Sequence, residues 1–145
     1  MKIEIRERPF EPWQELTSHE QAASGRGSSV GATAVFVGTM RDINEGEAVQ
    51  AMRLEHYAGM TERHLERITT EAMQRWALDD ALVLHRIGHL APGDPIVLVA
   101  VWSAHRAAAF DACRYIMEDL KSRAPFWKKE ELPGGSRWVE ANTPG

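Results

Sequence analysis

The sequence has one cysteine, Cys113, among its 145 residues. No disulfide within the chain is therefore available, and the fold must rest on packing alone. It has no apolar run of 18 residues, and Met1-Lys2-Ile3-Glu4 opens directly into charged alternation. Neither a membrane span nor a signal peptide is expected, and the chain reads as cytoplasmic. An excess of positive charge is lacking too: 17 Lys and Arg against 21 Asp and Glu give a net charge of -4, which argues against a nucleic-acid coat held by phosphate neutralisation. Rossmann and P-loop glycine patterns, internal repeats, heptads and low-complexity segments are all missing. What remains is an ordinary composition, 43% hydrophobic and 26% charged, which suits one domain over 1–145 large enough to bury its own core. Lysine is scarce, with four against 13 arginines, yet Lys121, Lys128 and Lys129 fall within nine residues of one another.

Ile3 and Ile5 alternate with charges over 2–8, the pattern of a half-buried strand. Pro12 at a first helical position, with Trp13 and Leu16 following, predicts a short helix over 12–23, and Ser24 to Ser29 a solvated loop. Residues 31–39 read as a buried strand and 42–47 as a polar loop. A second strand over 51–57 puts Met52, Leu54 and His56 on one face. Met60, Leu65, Ile68, Ala72, Met73 and Trp76 then recur at helical spacing. Runs at 81–87 and 96–102, joined by a turn-rich connector over 88–95, suit an antiparallel pair. A second main helix follows, with Phe110, Cys113, Ile116, Met117 and Leu120 as its expected buried stripe and Pro125 stopping it near Arg123. Two short extended runs flank Pro133-Gly134-Gly135 in the tail over 126–141. Strands in groups with a helix after each group point to an α+β domain with a largely antiparallel sheet and two main amphipathic helices.

Ser103-Ala104-His105-Arg106 places two cations where a helix macrodipole is positive, an arrangement that either completes an anion site or leaves both side chains in solvent. Lys121 falls in the last turn of the same helix. Pro125 then reverses the chain, so an extended Phe126-Trp127-Lys128-Lys129-Glu130 returns one lysine beside Lys121, and strand alternation allows only one of Lys128 and Lys129 to do so. Two apposed amines lower each other's pKa and make a lysine able to act as base or nucleophile; the other reading is a solvated cationic turn. Sixteen residues separate His105 from Lys121, about 24 Å of helix, so either two sites exist or a two-fold dimer joins the helix ends of different protomers. Cys113 reads as a core residue. His85 and His89 lack a third ligand, so no zinc site is expected, and His56 and His64 read as strand and helix-surface residues.

Five motifs occur in order: Phe36-Val37-Gly38-Thr39-Met40-Arg41, Leu54-Glu55-His56-Tyr57, His85-Arg86-Ile87-Gly88, Ser103-Ala104-His105-Arg106, and the segment from Lys121 to Glu130. Over about residues 31–141 the chain resembles the large, catalytic subunit family of molybdopterin synthase. The resemblance implies an α/β-hammerhead type fold and a homodimer that forms the core of a heterotetramer. A small ubiquitin-like sulfur-carrier subunit docks at each outer end and presents its Gly-Gly C-terminus as a thiocarboxylate. Two sulfurs pass to cyclic pyranopterin monophosphate, giving the dithiolene of molybdopterin. Neither a cofactor nor a metal is implied. Carried over by motif, the substrate-binding positions are Thr39, Met40, Arg41, His105, Arg106, Lys121, Lys128, Lys129 and Glu130. Lys121 and Lys128 are the catalytic pair, Lys121 activating the substrate carbon or handling the carrier's acyl group and Lys128 stabilising developing negative charge. Some members of the family have Val where Met40 stands and Arg where Asn142 lies, which leaves Arg137 as a replacement cation from the tail. The competing reading is a phosphate-, nucleotide- or RNA-binding α+β module without sulfur transfer.

Overall fold

The computed structural model describes residues 1–23, 29–44 and 46–139. Most of the loop expected over 24–29, the end of the tail and Asn142 lie outside the described residues. Element order is β1 (Lys2–Arg6), α1 (Pro12–Ala22), β2 (Ala32–Thr39), β3 (Ile43–Asn44), β4 (Glu47–Ala48), β5 (Ala51–His56), α2 (Met60–Arg75), β6 (Asp80–Arg86), β7 (Gly88–Leu90), β8 (Pro95–Ser103), α3 (Arg106–Ser122), β9 (Phe126–Leu132) and β10 (Gly135–Trp138).

The unbroken apolar runs of β6 and β8 arise because both strands are covered on both faces. They pair antiparallel at the centre of a sheet ordered β1-β6-β8-β2. Ala81, Val83, Val97, Val99 and Val101 face α2 and α3, while Leu82, Leu84, Leu98, Ala100 and Trp102 face Phe10 and Leu16 on the other side. Strand alternation thus builds three layers, with α1 on one face and the two longer helices on the other. A second antiparallel sheet, ordered β10-β9-β5-β7, packs Met52, Leu54 and Leu90 against Met40 and Val49.

The sheets are largely antiparallel as expected, with β1 paired to β6 in parallel as the exception. Several other expectations are corrected. The 88–95 connector contains β7, which crosses to pair with β5 in the second sheet after Gly88 turns the chain at φ +83. Such a backbone angle suits glycine and strains other residues. The 42–47 loop contains the β3–β4 ladder. On α3 the buried stripe is Ala109, Ala112, Cys113, Ile116, Met117 and Leu120, while Phe110 is 68% exposed. Ala109 takes the inward place because it, not Phe110, lies three and seven residues before Ala112 and Ile116. Met60 is likewise 53% exposed, since Thr61 holds the inward position at the start of α2.

Thr61 is fully buried and links three segments. Its Oγ1 accepts from the Tyr57 amide at 3.1 Å and donates to the Pro125 carbonyl at 3.1 Å. The turn between α3 and β9 is thereby tied to the start of α2. Gly31 permits a second close approach, since a Cβ there would stand 2.2 Å from the Ala104 carbonyl oxygen, immediately before α3. Backbone cannot yield to such a clash as a flexible side chain does. Gly31→Ala is expected to destabilise the protein by about 1–3 kcal/mol, measured as a lower urea midpoint with an unchanged m-value.

Candidate active site

The site lies where α3 ends and the two sheets approach. α3 stops when the Arg123 and Ala124 amides both turn back to the Asp119 carbonyl, at 2.8 and 3.1 Å. Pro125 prevents further helix, and β9 then runs antiparallel to β5 with Leu54 opposite Lys128 and Met52 opposite Glu130. Phe126, Lys128 and Glu130 share one face of β9; Trp127 and Lys129 take the other. On a third side β2 delivers Thr39, Met40 and Arg41. Its end is fixed by the Met40 amide donating to the Asp94 carbonyl at 2.9 Å and the Gly93 amide donating to the Met40 carbonyl at 2.8 Å.

These elements enclose a cavity of about 520 Å³ with an apolar wall that includes Phe36, Ile96 and Phe126. Thr39, Arg41, His85, Glu118, Lys121 and Lys128 supply its polar lining. A recess of about 80 Å³ shares Thr39, Arg41, Lys121 and Lys128 and adds Met40, Asn44 and Glu130. Lys128 is held well below the ordinary lysine value of 10.5, at about 8. Burial is the main cause; the Lys121 charge, a hydrogen bond from Lys121 and the Arg41 charge add to it, and Glu130 opposes it. Charge is expensive here because the wall is apolar, so one of the two amines sheds its proton easily.

The sequence-derived candidates divide into three groups. Thr39, Arg41, Lys121 and Lys128 converge on the cavity, with Met40 and Glu130 at its recess. Lys129 does not: its ammonium sits 5.5 Å from the centre of the Trp138 ring on the other face of β9. His105 and Arg106 stand exposed at the opposite end of α3, whose first turn contains no acidic residue. Glu130 is buried and accepts from Asn44 Nδ2 at 2.8 Å and from Arg137 Nε at 3.0 Å. Arg137 also donates to the Asn44 carbonyl and pairs with Glu47, so it clamps the β3–β4 ladder to β9 and β10 and does not line the cavity.

Cys113 is buried, its thiol pushed up to about 11 by burial. That is the behaviour of a packing residue. His64 is a paired residue, not a free surface one: Nε2 donates to Asp119 Oδ1 at 2.6 Å while Nδ1 accepts from Arg67. His56 lies 3.5 Å from Glu62. His89 is exposed. His85 is the cavity residue that motif spacing did not single out for this chemistry. The available signal was its strand parity with the inward-facing Ala81 and Val83.

An apolar cavity holding a readily discharged amine, a second amine and an arginine defines an α+β enzyme suited to amine-assisted chemistry on an anionic substrate. Residues 9–123 match the family model described as MoaE protein, and the chain belongs to that family. A curated relative from Ralstonia nicotianae, named molybdopterin synthase catalytic subunit, is 54% identical over 139 residues, covering 96% of this chain and 77% of the relative. The crystal structure of molybdopterin synthase from Staphylococcus aureus superposes with a TM-score of 0.81 at 33% identity, covering 94% of this chain and 95% of that one. A complex of subunits 1 and 2 of molybdopterin-converting factor from Helicobacter pylori shares the fold, with a TM-score of 0.78 at 20% identity over 95% of this chain and 90% of that one.

The shifts at His85 and Lys128 fix a sign for pH dependence. His85 falls from 6.5 to about 4, so between those values the unfolded chain binds a proton that the folded one refuses, and stability drops as pH falls. Lys128 falls from 10.5 to about 8, so stability rises with pH across that window and the buried charge weighs on the fold below it. Lys128→Met is therefore expected to be more stable than the parent at pH 7 by on the order of 1–2 kcal/mol and to lose the rise above pH 8, as read by urea unfolding across a pH series.

Proposed function

We propose that the protein catalyses sulfur transfer as a molybdopterin synthase catalytic subunit, converting cyclic pyranopterin monophosphate to molybdopterin. The observation that carries this reading is Lys128 beside Lys121 in a cavity that also holds Arg41. The sulfur donor is the thiocarboxylated Gly-Gly C-terminus of a small ubiquitin-like carrier subunit, so no cysteine of this chain takes part. For each sulfur the thiocarboxylate forms a carbon–sulfur bond at the substrate as a substrate carbon–oxygen bond breaks and its oxygen leaves, and water then hydrolyses the resulting thioester, breaking the acyl carbon–sulfur bond so that the carrier departs as a carboxylate.

Near neutral pH Lys128 is the group suited to accept a proton, and Lys121 is the amine placed to stabilise developing negative charge. This exchanges the parts hypothesised for the two lysines from the sequence. Arg41 supplies a planar donor fork for the substrate phosphate. Cations gathered into an apolar cavity suit one small anion better than the long backbone of an RNA. We place the reaction in the cytoplasm and treat residues 1–145 as one functional domain; among the described residues no helix is long and apolar enough to cross a membrane.

His105 and Arg106 join the site only from a second copy of the chain. α3 spans 17 residues, Arg106–Ser122, or about 25 Å at 1.5 Å per residue. The exposed Phe110 beside them supports a two-fold homodimer, the core of a heterotetramer with two carriers, in which His105 and Arg106 of one protomer serve the Lys121–Lys128 cavity of the other.

Incubation with thiocarboxylated carrier and the cyclic pterin should yield the dithiolene product, and absence of product with a verified carrier overturns the reading. Lys121→Ala and Lys128→Ala should each lower single-turnover transfer by about 10²- to 10⁴-fold, with carrier binding retained in calorimetry. Mixing Arg106→Glu chains with Lys121→Glu chains should restore activity that neither homodimer has, because one site of each mixed dimer then carries no substitution. Failure of the mixture to recover activity would leave the shared site without support.

A further inference from the structure

β6 sets Ala81, Val83 and His85 on one face by alternation, and the first two are wholly buried beneath α2 and α3. His85, 8% exposed, carries that row to the wall of the cavity. Its Nδ1 lies 2.7 Å from the Arg86 carbonyl oxygen. A carbonyl can only accept, so the proton is on Nδ1, and Nε2 carries the lone pair of an uncharged ring. The ring stacks on Phe126 with centroids 4.0 Å apart and planes at 15°. Phe126 stands two residues before Lys128 on the same face of β9, so the stacked pair adjoins the reactive amine along the strand.

The charged groups around the ring come from three elements. His56 faces it from β5, Lys121 from α3 and Lys128 from β9. Arg41 and Glu118 line the same cavity. Burial holds the His85 ring at about 4; the hydrogen bond to the Arg86 carbonyl opposes it, and the Lys121, Lys128 and His56 interactions add to it. The ring therefore stays uncharged at any pH at which the enzyme would work, and it adds no repulsion to the lysine pair.

We propose that His85 is a positioning residue for the transfer reaction: its uncharged ring, locked by the Arg86 carbonyl and stacked on Phe126, closes the cavity wall to water behind Lys128 and keeps that amine dry. The assignment rests on the sulfur-transfer reading for its purpose, though not for its geometry. A smaller side chain breaks the stack, admits water and lets Lys128 keep its proton. An aromatic hydrocarbon in the same place preserves the stack and the dry wall without either ring nitrogen.

The test reads Lys128 itself. The full chain is labelled with carbon-13 at lysine Cε and titrated by NMR, with the Lys128 signal identified by its loss in Lys128→Arg. The parent midpoint is expected at about 8. His85→Asn retains a donor for the Arg86 carbonyl and loses the stack; its Lys128 midpoint should rise by about one pH unit or more. His85→Phe should stay within about 0.3 of the parent. His85→Gln provides the same comparison as His85→Asn should the latter not fold. In the assembled complex the single-turnover rate of His85→Asn should shift to higher pH by the same amount, with the KM for the thiocarboxylated carrier unchanged. An unmoved midpoint in a folded His85→Asn or His85→Gln chain overturns the proposal, as do equal rises in His85→Asn and His85→Phe. The midpoint is read with neither carrier nor pterin present, so its outcome stands apart from that of the sulfur-transfer assay.

Discussion

Two lysine side chains held together against their own repulsion set the terms for the rest of this structure. Like charges at hydrogen-bonding separation repel by several kcal/mol at the effective dielectric of a protein, roughly 4 kcal/mol at 4 Å, and free side chains would swing apart. Lys121 and Lys128 are denied that escape by their backbones. One is fixed in the last turn of a helix whose stripe is buried, and the other in a strand paired along its length with β5. The short connection between them is held by Thr61 through the Pro125 carbonyl. With movement blocked, burial first and the Lys121 charge second favour loss of a proton, and Lys128 comes to rest at about 8. A rigid, well-packed frame is thus the cause of the reactive amine.

That frame was legible in the sequence wherever the signal is local. Strand parity decided that one of Lys128 and Lys129 would face Lys121, and Pro125 marked the end of the helix. The apolar runs at β6 and β8 announced an antiparallel pair of strands. What was not legible depends on partners far away in the chain. β7 has three residues and exists because β5 offers it an edge, and the β3–β4 ladder is tied down by Arg137 and Glu130 from the other end of the sequence. Phe110 was misplaced by one position on α3: an aromatic residue in an amphipathic helix is read as core until the neighbouring alanines are seen to face inward.

His85 shows a different limit. As a residue type it suggests a metal ligand or an acid–base catalyst, and its spacing from His89 invited the first reading. The fold gives it neither part. A carbonyl fixes its tautomer, Phe126 covers one face, and burial, with a smaller effect of the neighbouring cations, disfavours its protonation. Glu130 is parallel: its residue type and motif position point to a ligand contact, yet its carboxylate oxygens accept from Asn44 and Arg137. Glu130 borders the recess and also ties the β3–β4 ladder to the Lys128 strand.

The length of α3 then determines how many chains a working site requires. A helix is a rigid ruler, and this one keeps His105 and Arg106 at the far end from Lys121 whatever the side-chain rotamers do. Arg41 remains in the cavity beside the two lysines and is the planar donor fork among its described lining residues. On the proposed shared-site reading, further anion recognition comes from outside the protomer, where the exposed start of α3 offers His105, Arg106 and the apolar ring of Phe110 together. Apolar surface supplies the burial that holds two copies together, and the cations beside it supply the reason for doing so. A two-fold arrangement also repeats the bargain symmetrically: each chain lends one end of α3 and receives the other. Oligomerisation on this reading is part of the active site's construction, because the same helix that positions Lys121 carries its complementary cations out of reach.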